Sequence, residues 1–304
     1  MSEDKNSNAR DPIIHIIHHD DPDGICAAAI VLLALNSHPS GNSPRFMLYP
    51  VNYNHPVDVS RMADGDRVVI VDFSYPPAEM AKIEEAIIMP QSIYWIDHHK
   101  TAEAYGYQYK GLRDFSDKGQ SGCELAWAYF FPNRPFPLAV RLIGDYDSWR
   151  LSLTESKCFH EGIKMLCPTP RAELWHELLY KNSSGARSYV QNVGSYAMQY
   201  RDAYCARMRQ SHGYPTTLAG HPAYALNVYG FGSQAFGDLF TCFPLVIAYV
   251  HDGRRFTCSL YSETVDVGAI AKKLGGGGHK GAAGFVCDVL PFKPEALFAA
   301  GVTE

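Results

Sequence analysis

The stretch PIIHIIHHDDPDGICAAAIVLLALN, residues 12–36, decides the fold. Its first part, PIIHII (12–17), is a short isoleucine-rich run of the kind that forms a buried strand. The part DGICAAAIVLLALN (23–36) is apolar enough to form a buried helix. Acidic and imidazole side chains lie between the two, where the strand should end. A buried strand followed by a buried helix is typical of an α/β protein with a parallel sheet.

The same alternation continues along the chain. DRVVIVDFS (66–74) predicts a second strand, and PPAEMAKIEEAIIM (76–89) predicts a helix with proline at its start. SIYWID (92–97) predicts a third strand, and SGCELAWAYFF (121–131) carries the Ser and Glu of a capping box ahead of a helix. We therefore predict an α/β fold with a mostly parallel, doubly wound sheet.

The chain divides into four segments. Residues 1–11 are predicted to be a disordered tail, 12–186 the sheet domain, 187–212 a connecting helix, and 213–304 a second domain. In the last segment AYALNVYG, FPLVIAYVHDG and RFTCSLYS have the character of strands. We expect a smaller α/β domain there, with a cleft between the two domains.

Composition excludes several classes of protein. The 304-residue chain has a net charge of −5, so it offers no basic field to hold long duplex nucleic acid. Its eight cysteines form no C-x-x-C pair, which favours reduced thiols over a disulfide framework or a zinc site. The polar N-terminus lacks an apolar signal segment, and no run is long enough to cross a membrane. We expect a cytoplasmic location.

Four clusters of acidic and imidazole groups each follow an apolar run. Because the carboxyl ends of parallel strands share one edge of a sheet, we expect these clusters to converge. So many carboxylates would repel one another unless cations compensated them, and oxygen ligands with some histidine suit Mn or Mg. A single Asp after a strand is usually a turn or cap residue, but four clusters favour a site. The clusters are His19, Asp21 and Asp23; Asp72; Asp97, His98 and His99; and Asp145 with Asp147.

A fifth cluster is GGGGHKGAAGF (275–285). Glycines allow backbone N–H groups to point inward as an anion nest, and Gly281 with the alanines after it could open a helix against that nest. His279 would then contact a phosphate. Glycine runs are usually flexible loops. The sequence His-Lys-Gly-Ala-Ala-Gly directly after this run makes the motif specific.

These motifs, in this order, resemble the DHH phosphoesterases with their C-terminal DHH-associated domain. The matching motifs are H-x-D-x-D-G (19–24), D (72), D-H-H (97–99), G-D (144–145) and the late G-G-G-H run, which together span roughly residues 13–287. The resemblance implies two lobes, two divalent cations (Mn most often, with Mg or Co as alternatives) and hydrolysis of phosphate esters or anhydrides.

The resemblance also implies a role for each matching residue. His19 and Asp21 would hold one cation, Asp23, His98 and Asp145 the other, and Asp72 would bridge the two. Asp97 would orient the imidazoles, and His99 would touch the scissile phosphate. The D-Y-D spacing leaves Asp147 as the alternative to Asp145. In the second domain Gly276, Gly277, Gly278 and His279 would anchor a terminal phosphate.

One departure from the family pattern bears on the substrate. Many relatives have Arg in the strand before the glycine run, where this chain has Tyr261. The loss of that cation argues against a highly charged substrate, and a tyrosine there could stack a base or simply pack in the sheet.

We expect a Mn-dependent phosphodiesterase for short oligonucleotides of two to about five residues, releasing nucleoside monophosphates. The alternatives are linear or cyclic dinucleotide second messengers, then bisphosphonucleotides or polyphosphate, and more remotely a non-catalytic nucleotide sensor. No membrane or long duplex is expected as a partner. The sequence leaves open cleavage polarity, the native metal and oligomeric state, a homodimer included.

Overall fold

The computed structural model describes residues 11–36, 44–53 and 55–295. The chain forms two compact units, one ending at Ala197 and the other beginning at Met198. The helix that crosses this division covers the segment predicted as a connecting helix. The predicted tail lies outside the described residues except for Asp11. The elements of the first unit are β1 (Ile13–His19), α1 (Pro22–Leu35), β2 (Arg45–Val51), β3 (Arg67–Val71), α2 (Pro77–Ile87), β4 (Ile93–Ile96), α3 (Gly122–Phe130), α4 (Leu138–Asp147), α5 (Ser156–Leu166), α6 (Glu173–Trp175) and α7 (Ser184–His212), which continues into the second unit.

The first unit is built on a parallel sheet with strand order β2-β1-β3-β4 among the described residues. Ile16 of β1 lies opposite Leu48 of β2 on one side and Val69 of β3 on the other, and Val71 of β3 lies opposite Ile96 of β4. Near-continuous Ile and Val runs suit such strands, because both faces of a parallel sheet are covered. The predicted parallel sheet is confirmed.

Helices cover both faces of this sheet. Side chains alternate between the faces along a strand, so Ile16 and Val69 pack into a core with α1, α3 and α4. Their neighbours Ile17 and Ile70 pack on the opposite face, where α2 contributes buried residues such as Ile83. The sheet is therefore doubly wound, as predicted.

The second unit is a smaller α/β unit, also as predicted. Its sheet has the order β5-β6-β7-β8-β10-β9, in which β6 and β7 are parallel and the other neighbouring pairs antiparallel. The expectation of a helix opening at Gly281 is wrong, because the alanines there begin a strand that pairs with β8. The elements are β5 (Gly213–Leu218), β6 (His221–Asn227), α8 (Leu239–Cys242), β7 (Leu245–His251), β8 (Phe256–Tyr261), α9 (Val267–Lys273), β9 (Gly277–Gly278) and β10 (Ala282–Cys287).

The fourth acidic cluster does not follow a strand, contrary to expectation. Asp145 and Asp147 lie in the last turn of α4, whose buried residues Ala139, Val140 and Ile143 have helical spacing.

Within the described residues no helix is long and apolar enough to cross a membrane. All eight cysteines are among the described residues, and each is a free thiol.

Candidate metal centre

Three strand ends bring the first three clusters together. His19 is the last residue of β1, Asp72 directly follows β3, and Asp97 begins the segment after β4. Because these strands are parallel neighbours, their carboxyl ends lie along one edge of the sheet. Asp21 accepts a hydrogen bond from Gly24 N–H at 2.9 Å as the N-cap of α1, so the helix start lies at the same edge.

His19, Asp21 and Asp72 form the first group of potential metal ligands. His19 Nδ1 lies 2.8 Å from Asp21 Oδ2 and 3.9 Å from Asp72 Oδ2. Burial lowers the pKa of His19, but the hydrogen bond and charge of Asp21 outweigh this and raise it. The other ring nitrogen, Nε2, lies 3.0 Å from Asn52 Oδ1. An Nε2–H that donates to Asn52 leaves Nδ1 free to be the ligand atom.

Asp23, His98 and Asp147 form the second group. His98 Nε2 lies 3.2 Å from Asp147 Oδ2 and 4.0 Å from Asp23 Oδ2. It also lies 3.1 Å from Asp72 Oδ1, while the other oxygen of Asp72 faces His19. Asp72 thus lies between the two groups, with one oxygen near a histidine of each, which is the arrangement that the predicted bridging role requires.

Asp145 lies outside both groups, and this corrects its predicted role as a ligand. Its oxygens accept hydrogen bonds from Ser152 N–H and Leu153 N–H, each at 3.0 Å, and from the hydroxyls of Ser152 and Ser156. Burial alone would raise the pKa of Asp145, but these four donors lower it to about 2. Its acceptor capacity is already filled, and Asp147, the alternative left open by the spacing, approaches His98.

The carboxylates of the centre are crowded. Burial and the charges of Asp23, Asp21 and Asp147 raise the pKa of Asp72 well above its usual range. Burial and the charges of Asp23 and Asp21 likewise raise the pKa of Asp147. Burial lowers the pKa of His98, which favours the neutral imidazole that binds metals. These carboxylates need a positive charge to be stable as anions.

The donor set fits divalent cations. Asp23 Oδ2 and both oxygens of Asp72 are buried, and they accept no hydrogen bond from the residues that the structure describes. Buried polar atoms are almost always satisfied, so three unsatisfied oxygens at one place indicate a missing partner. Carboxylate and imidazole ligands without cysteine suit Mn or Mg better than a thiolate-binding metal.

The start of α3 closes one side of the centre. Asp23 Oδ1 accepts hydrogen bonds from Ser121 Oγ at 2.8 Å and from Cys123 N–H at 3.1 Å. A Cβ atom on Gly122 would lie 2.4 Å from Asp72 Cβ, so glycine is what allows the helix to approach. The positive end of the helix dipole also favours these carboxylates. The capping-box pattern predicted this helix start, but not its contact with Asp23.

Asp97 is in contact with the imidazole of His99. Asp97 Oδ1 accepts from His98 N–H at 2.8 Å and lies 2.7 Å from His99 Nδ1. Its other oxygen accepts from the hydroxyl of Ser74, which in turn accepts from Trp95 Nε1 at 2.8 Å. This series of hydrogen bonds fixes the imidazole ring through Nδ1 and does not involve His99 Nε2. Ser74 was not predicted, because its position two residues after Asp72 is a weak signal.

An aromatic group also borders the first group of ligands. The ring centroid of Tyr53 lies 5.5 Å from that of His19 and 5.7 Å from that of His99. Burial and the nearby carboxylates, Asp97 first, raise the pKa of Tyr53, so its phenol stays protonated. Tyr53 was not predicted, because it follows the edge strand β2, which the sequence analysis did not recognise.

The predicted phosphate contacts lie in the second unit. Gly277 and Gly278 form β9, and His279 is exposed beside them. The backbone N–H of Gly276 donates to Ala271 O at 2.8 Å, so this amide is already engaged and is not part of an open nest. Tyr261 is half-buried and packs against the core of this unit.

Known proteins resemble this chain in sequence and in fold. Residues 13–139 match the family model described as DHH family, N-terminal domain. A curated relative, uncharacterized protein R106 of Acanthamoeba polyphaga mimivirus, is 24% identical over 74% of this chain, which spans about half (55%) of that protein's length. The pGpG-specific phosphodiesterase PggH of Vibrio cholerae superposes with a TM-score of 0.54 at 12% identity, covering 91% of this chain and 94% of that one. The Mn2+ complex of RecJ from Thermus thermophilus gives a TM-score of 0.49 at 15% identity, covering 91% and 49%.

Proposed function

We propose that this chain, whose residues 13–139 match the model of the DHH family, is a Mn-dependent phosphodiesterase of that family. Its substrates are short oligonucleotides of two to about five residues, cleaved to nucleoside monophosphates. The observation that carries the proposal is the position of Asp72, whose two oxygens face different groups of ligands. A carboxylate shared in this way suits two neighbouring cations, the arrangement used for phosphoryl chemistry.

Each ligand group would hold one cation. His19, Asp21 and Asp72 make up the first site, and Asp23, His98, Asp147 and Asp72 make up the second. When bound, the cations supply positive charge to the phosphate oxygens and lower the pKa of water.

The remaining residues bind and orient the substrate. Asp97 holds His99 Nδ1, so His99 Nε2 is directed to contact an oxygen of the scissile phosphate. In the second unit, His279 and the backbone of Gly277 and Gly278 would bind a terminal phosphate of the substrate. Tyr261 would contact a base from its half-buried position in β8.

The net charge of the protein favours the proposal of short substrates. A net charge of −5 leaves little electrostatic attraction for a long phosphate backbone, whereas two cations and a few local donors suffice for a short one.

We also propose a cytoplasmic location, in keeping with eight free thiols.

A second candidate is the turnover of a linear dinucleotide second messenger. The favouring observation is the fold likeness to the Vibrio cholerae enzyme, which is described as specific for pGpG. Both candidates use the same ligands and differ in the bases accepted. A hydrolysis panel with Mn, covering linear and cyclic dinucleotides, longer oligonucleotides and polyphosphate, separates them.

The test of the centre itself uses ligand substitutions. Asp72→Ala and His98→Ala should abolish hydrolysis of a dinucleotide with Mn while the circular dichroism spectrum stays native. Asp117→Ala, at an exposed aspartate, is the matched control and should retain full activity. Activity that persists in Asp72→Ala would overturn the proposal. Binding of Mn without hydrolysis of any substrate in the panel would instead favour a nucleotide sensor.

A further inference from the structure

Trp149 is an exposed tryptophan in an unfavourable backbone conformation. Its side chain is 57% exposed, whereas Trp95, Trp127 and Trp175 are at most 3% exposed. Its φ angle is +53°, in the left-handed region that bulky residues rarely adopt. Exposure of the indole and the left-handed backbone both cost stability, so the stability of the fold does not explain a tryptophan at this position.

The segment that carries Trp149 is held firmly. The backbone oxygen of Asp145 accepts hydrogen bonds from Arg150 N–H at 3.0 Å and Leu151 N–H at 3.2 Å, in addition to the contacts of its carboxylate. The Arg150 guanidinium donates to Glu124 Oε2 at 2.7 Å and to Gly119 O at 3.0 Å. The backbone around Trp149 is therefore fixed, so binding at the indole does not require this segment to become ordered.

Trp149 belongs to the same short segment as Asp147 of the second ligand group. Trp149 follows Asp147 by two residues, and Asp147 Oδ2 lies 3.2 Å from His98 Nε2. Tyr146 contacts the indole edge-on, with ring centroids 5.5 Å apart. Tyr146 itself stacks on His160, with centroids 3.8 Å apart. This aromatic stack supports one edge of Trp149 and leaves more than half of its surface open.

We propose that Trp149 is the stacking platform for a nucleobase of the substrate, on the side of the centre formed by Asp23, His98 and Asp147. The inference rests on the proposed function and narrows it to substrates that carry a base. An aromatic face next to a phosphate-binding centre matches a nucleotide, which joins a flat base to a phosphate. Polyphosphate and pyrophosphate have no group that could use the indole.

The first experiment compares substrates with and without bases. Trp149→Gly is the preferred variant, because glycine adopts φ +53° without strain, so its Tm should equal or exceed that of the wild type. The KM for a linear dinucleotide should rise at least about tenfold, since stacking is lost, while kcat changes little. In the wild type the KM for an abasic analogue should be higher than the KM for the dinucleotide. In Trp149→Gly the two KM values should become similar.

Trp149→Phe should restore most of the affinity for the dinucleotide. An unchanged KM for the dinucleotide, or an equal rise for both substrates, would overturn the proposal.

The second experiment measures binding without catalysis. Since the other three tryptophans are buried, stacking on Trp149 should quench the accessible part of the intrinsic fluorescence. Titration of the wild type with AMP in Mg2+ should quench emission, whereas ribose 5-phosphate should not. Trp149→Phe should remove the AMP response. Equal quenching in Trp149→Phe, or by ribose 5-phosphate, would refute the platform. Quenching by AMP without hydrolysis of any dinucleotide would support the platform and refute the phosphodiesterase.

Discussion

Asp72 is the residue on which the centre is built. It has φ +54° in a non-glycine residue, a conformation that costs on the order of 1–3 kcal/mol. Its N–H donates to Ile96 O at 2.8 Å, so the turn after β3 is tied to the end of β4. This bond places the Asp72 carboxylate between His19, the last residue of β1, and His98, which follows β4. The strained backbone is the means by which one carboxylate reaches both ligand groups.

Asp145 and Asp147 should respond in opposite ways to substitution by asparagine. Asp147→Asn should lower metal affinity and turnover by at least about 100-fold, because it removes a ligand. The metal-free protein should not be destabilised, because the raised pKa of Asp147 shows that its charge is unfavourable there. Asp145→Asn should lower the free energy of unfolding by about 2 kcal/mol, since an amide cannot accept from all four donors. Metal titration and urea unfolding measure the two effects.

The pH dependence of the free energy of unfolding provides a control for the comparison of Asp145→Asn with Asp147→Asn. A carboxyl whose pKa is lowered to about 2 in the folded protein stabilises it above the unfolded pKa of about 4. The stability that Asp145 contributes should therefore be lost as the pH falls from about 4 to about 2. The difference between wild type and Asp145→Asn should shrink over that range. A difference that is constant with pH would contradict the role assigned to the Asp145 charge.

Ser74 should matter for turnover more than for binding. Its hydroxyl joins Trp95 to Asp97, which orients His99. Ser74→Ala should lower kcat about 10- to 100-fold, the usual effect of losing such a supporting contact, with a smaller change in KM. Steady-state kinetics with a dinucleotide measure the split. Asp97→Asn should have a larger effect in the same direction, and a Ser74→Ala variant that loses stability but keeps kcat would contradict this role.

Residue identity alone could predict most of the centre but not all of it. The ordered motifs placed His19, Asp21, Asp23, Asp72 and His98 together, since each lies where a predicted strand ends or a helix begins. The choice between Asp145 and Asp147 could not be made, because both lie in one helical turn. It depends on the donors of Ser152, Leu153 and Ser156, because the segment after α4 folds back onto Asp145 in a conformation that the residue pattern does not reveal.

At the scale of elements, the start of α3 determines how closely the carboxylates can be packed. Gly122→Ala would introduce a Cβ atom 2.4 Å from Asp72 Cβ, so either the helix or Asp72 must move. We expect metal affinity and kcat to fall at least about tenfold, because the shared carboxylate is displaced. Calorimetric metal titration and kinetics check this result.

Gly185 supplies the matched control. It lies in the first turn of α7, and the nearest atom to an added Cβ would be Ser183 Oγ at 3.8 Å. Gly185→Ala should leave activity unchanged and raise the free energy of unfolding by up to about 1 kcal/mol, the helix propensity difference. Equal losses of metal affinity in both alanine variants would show that the close approach at Gly122 is irrelevant.

Elements could be predicted where the sequence pattern is local and strong. The helices α1, α2 and α3 and the strands β1, β3 and β4 follow from apolar runs, prolines and the capping box. The strand β2 (Arg45–Val51) was missed because it contains Pro50, which is tolerated at a sheet edge but weakens the strand pattern. The strand β10 was taken for a helix start because its small residues fit either structure. Its pairing with β8 is a long-range contact.

At the scale of the whole molecule, metal should govern stability near neutral pH. Without cations the folded protein holds Asp72 and Asp147 as unfavourable charges, and their raised pKa values mean that stability falls as the pH rises above about 4. Cations that bind the folded state alone stabilise it by about 2.7 kcal/mol when present at 100 times their Kd. We therefore expect Mn to raise the Tm at about pH 7 and EDTA to reverse the increase.

Metal binding should weaken as the pH falls. Protons and cations compete for these carboxylates, so the increase in Tm caused by Mn should become smaller as the pH falls. Asp72→Ala should abolish the increase, because it removes a ligand from both groups, whereas Asp117→Ala should keep it. A Tm increase that is the same in Asp72→Ala would mean that Mn binds elsewhere. A metal-free protein that becomes more stable as the pH rises from about 4 to about 7 would mean that the buried carboxylates are compensated by the protein itself.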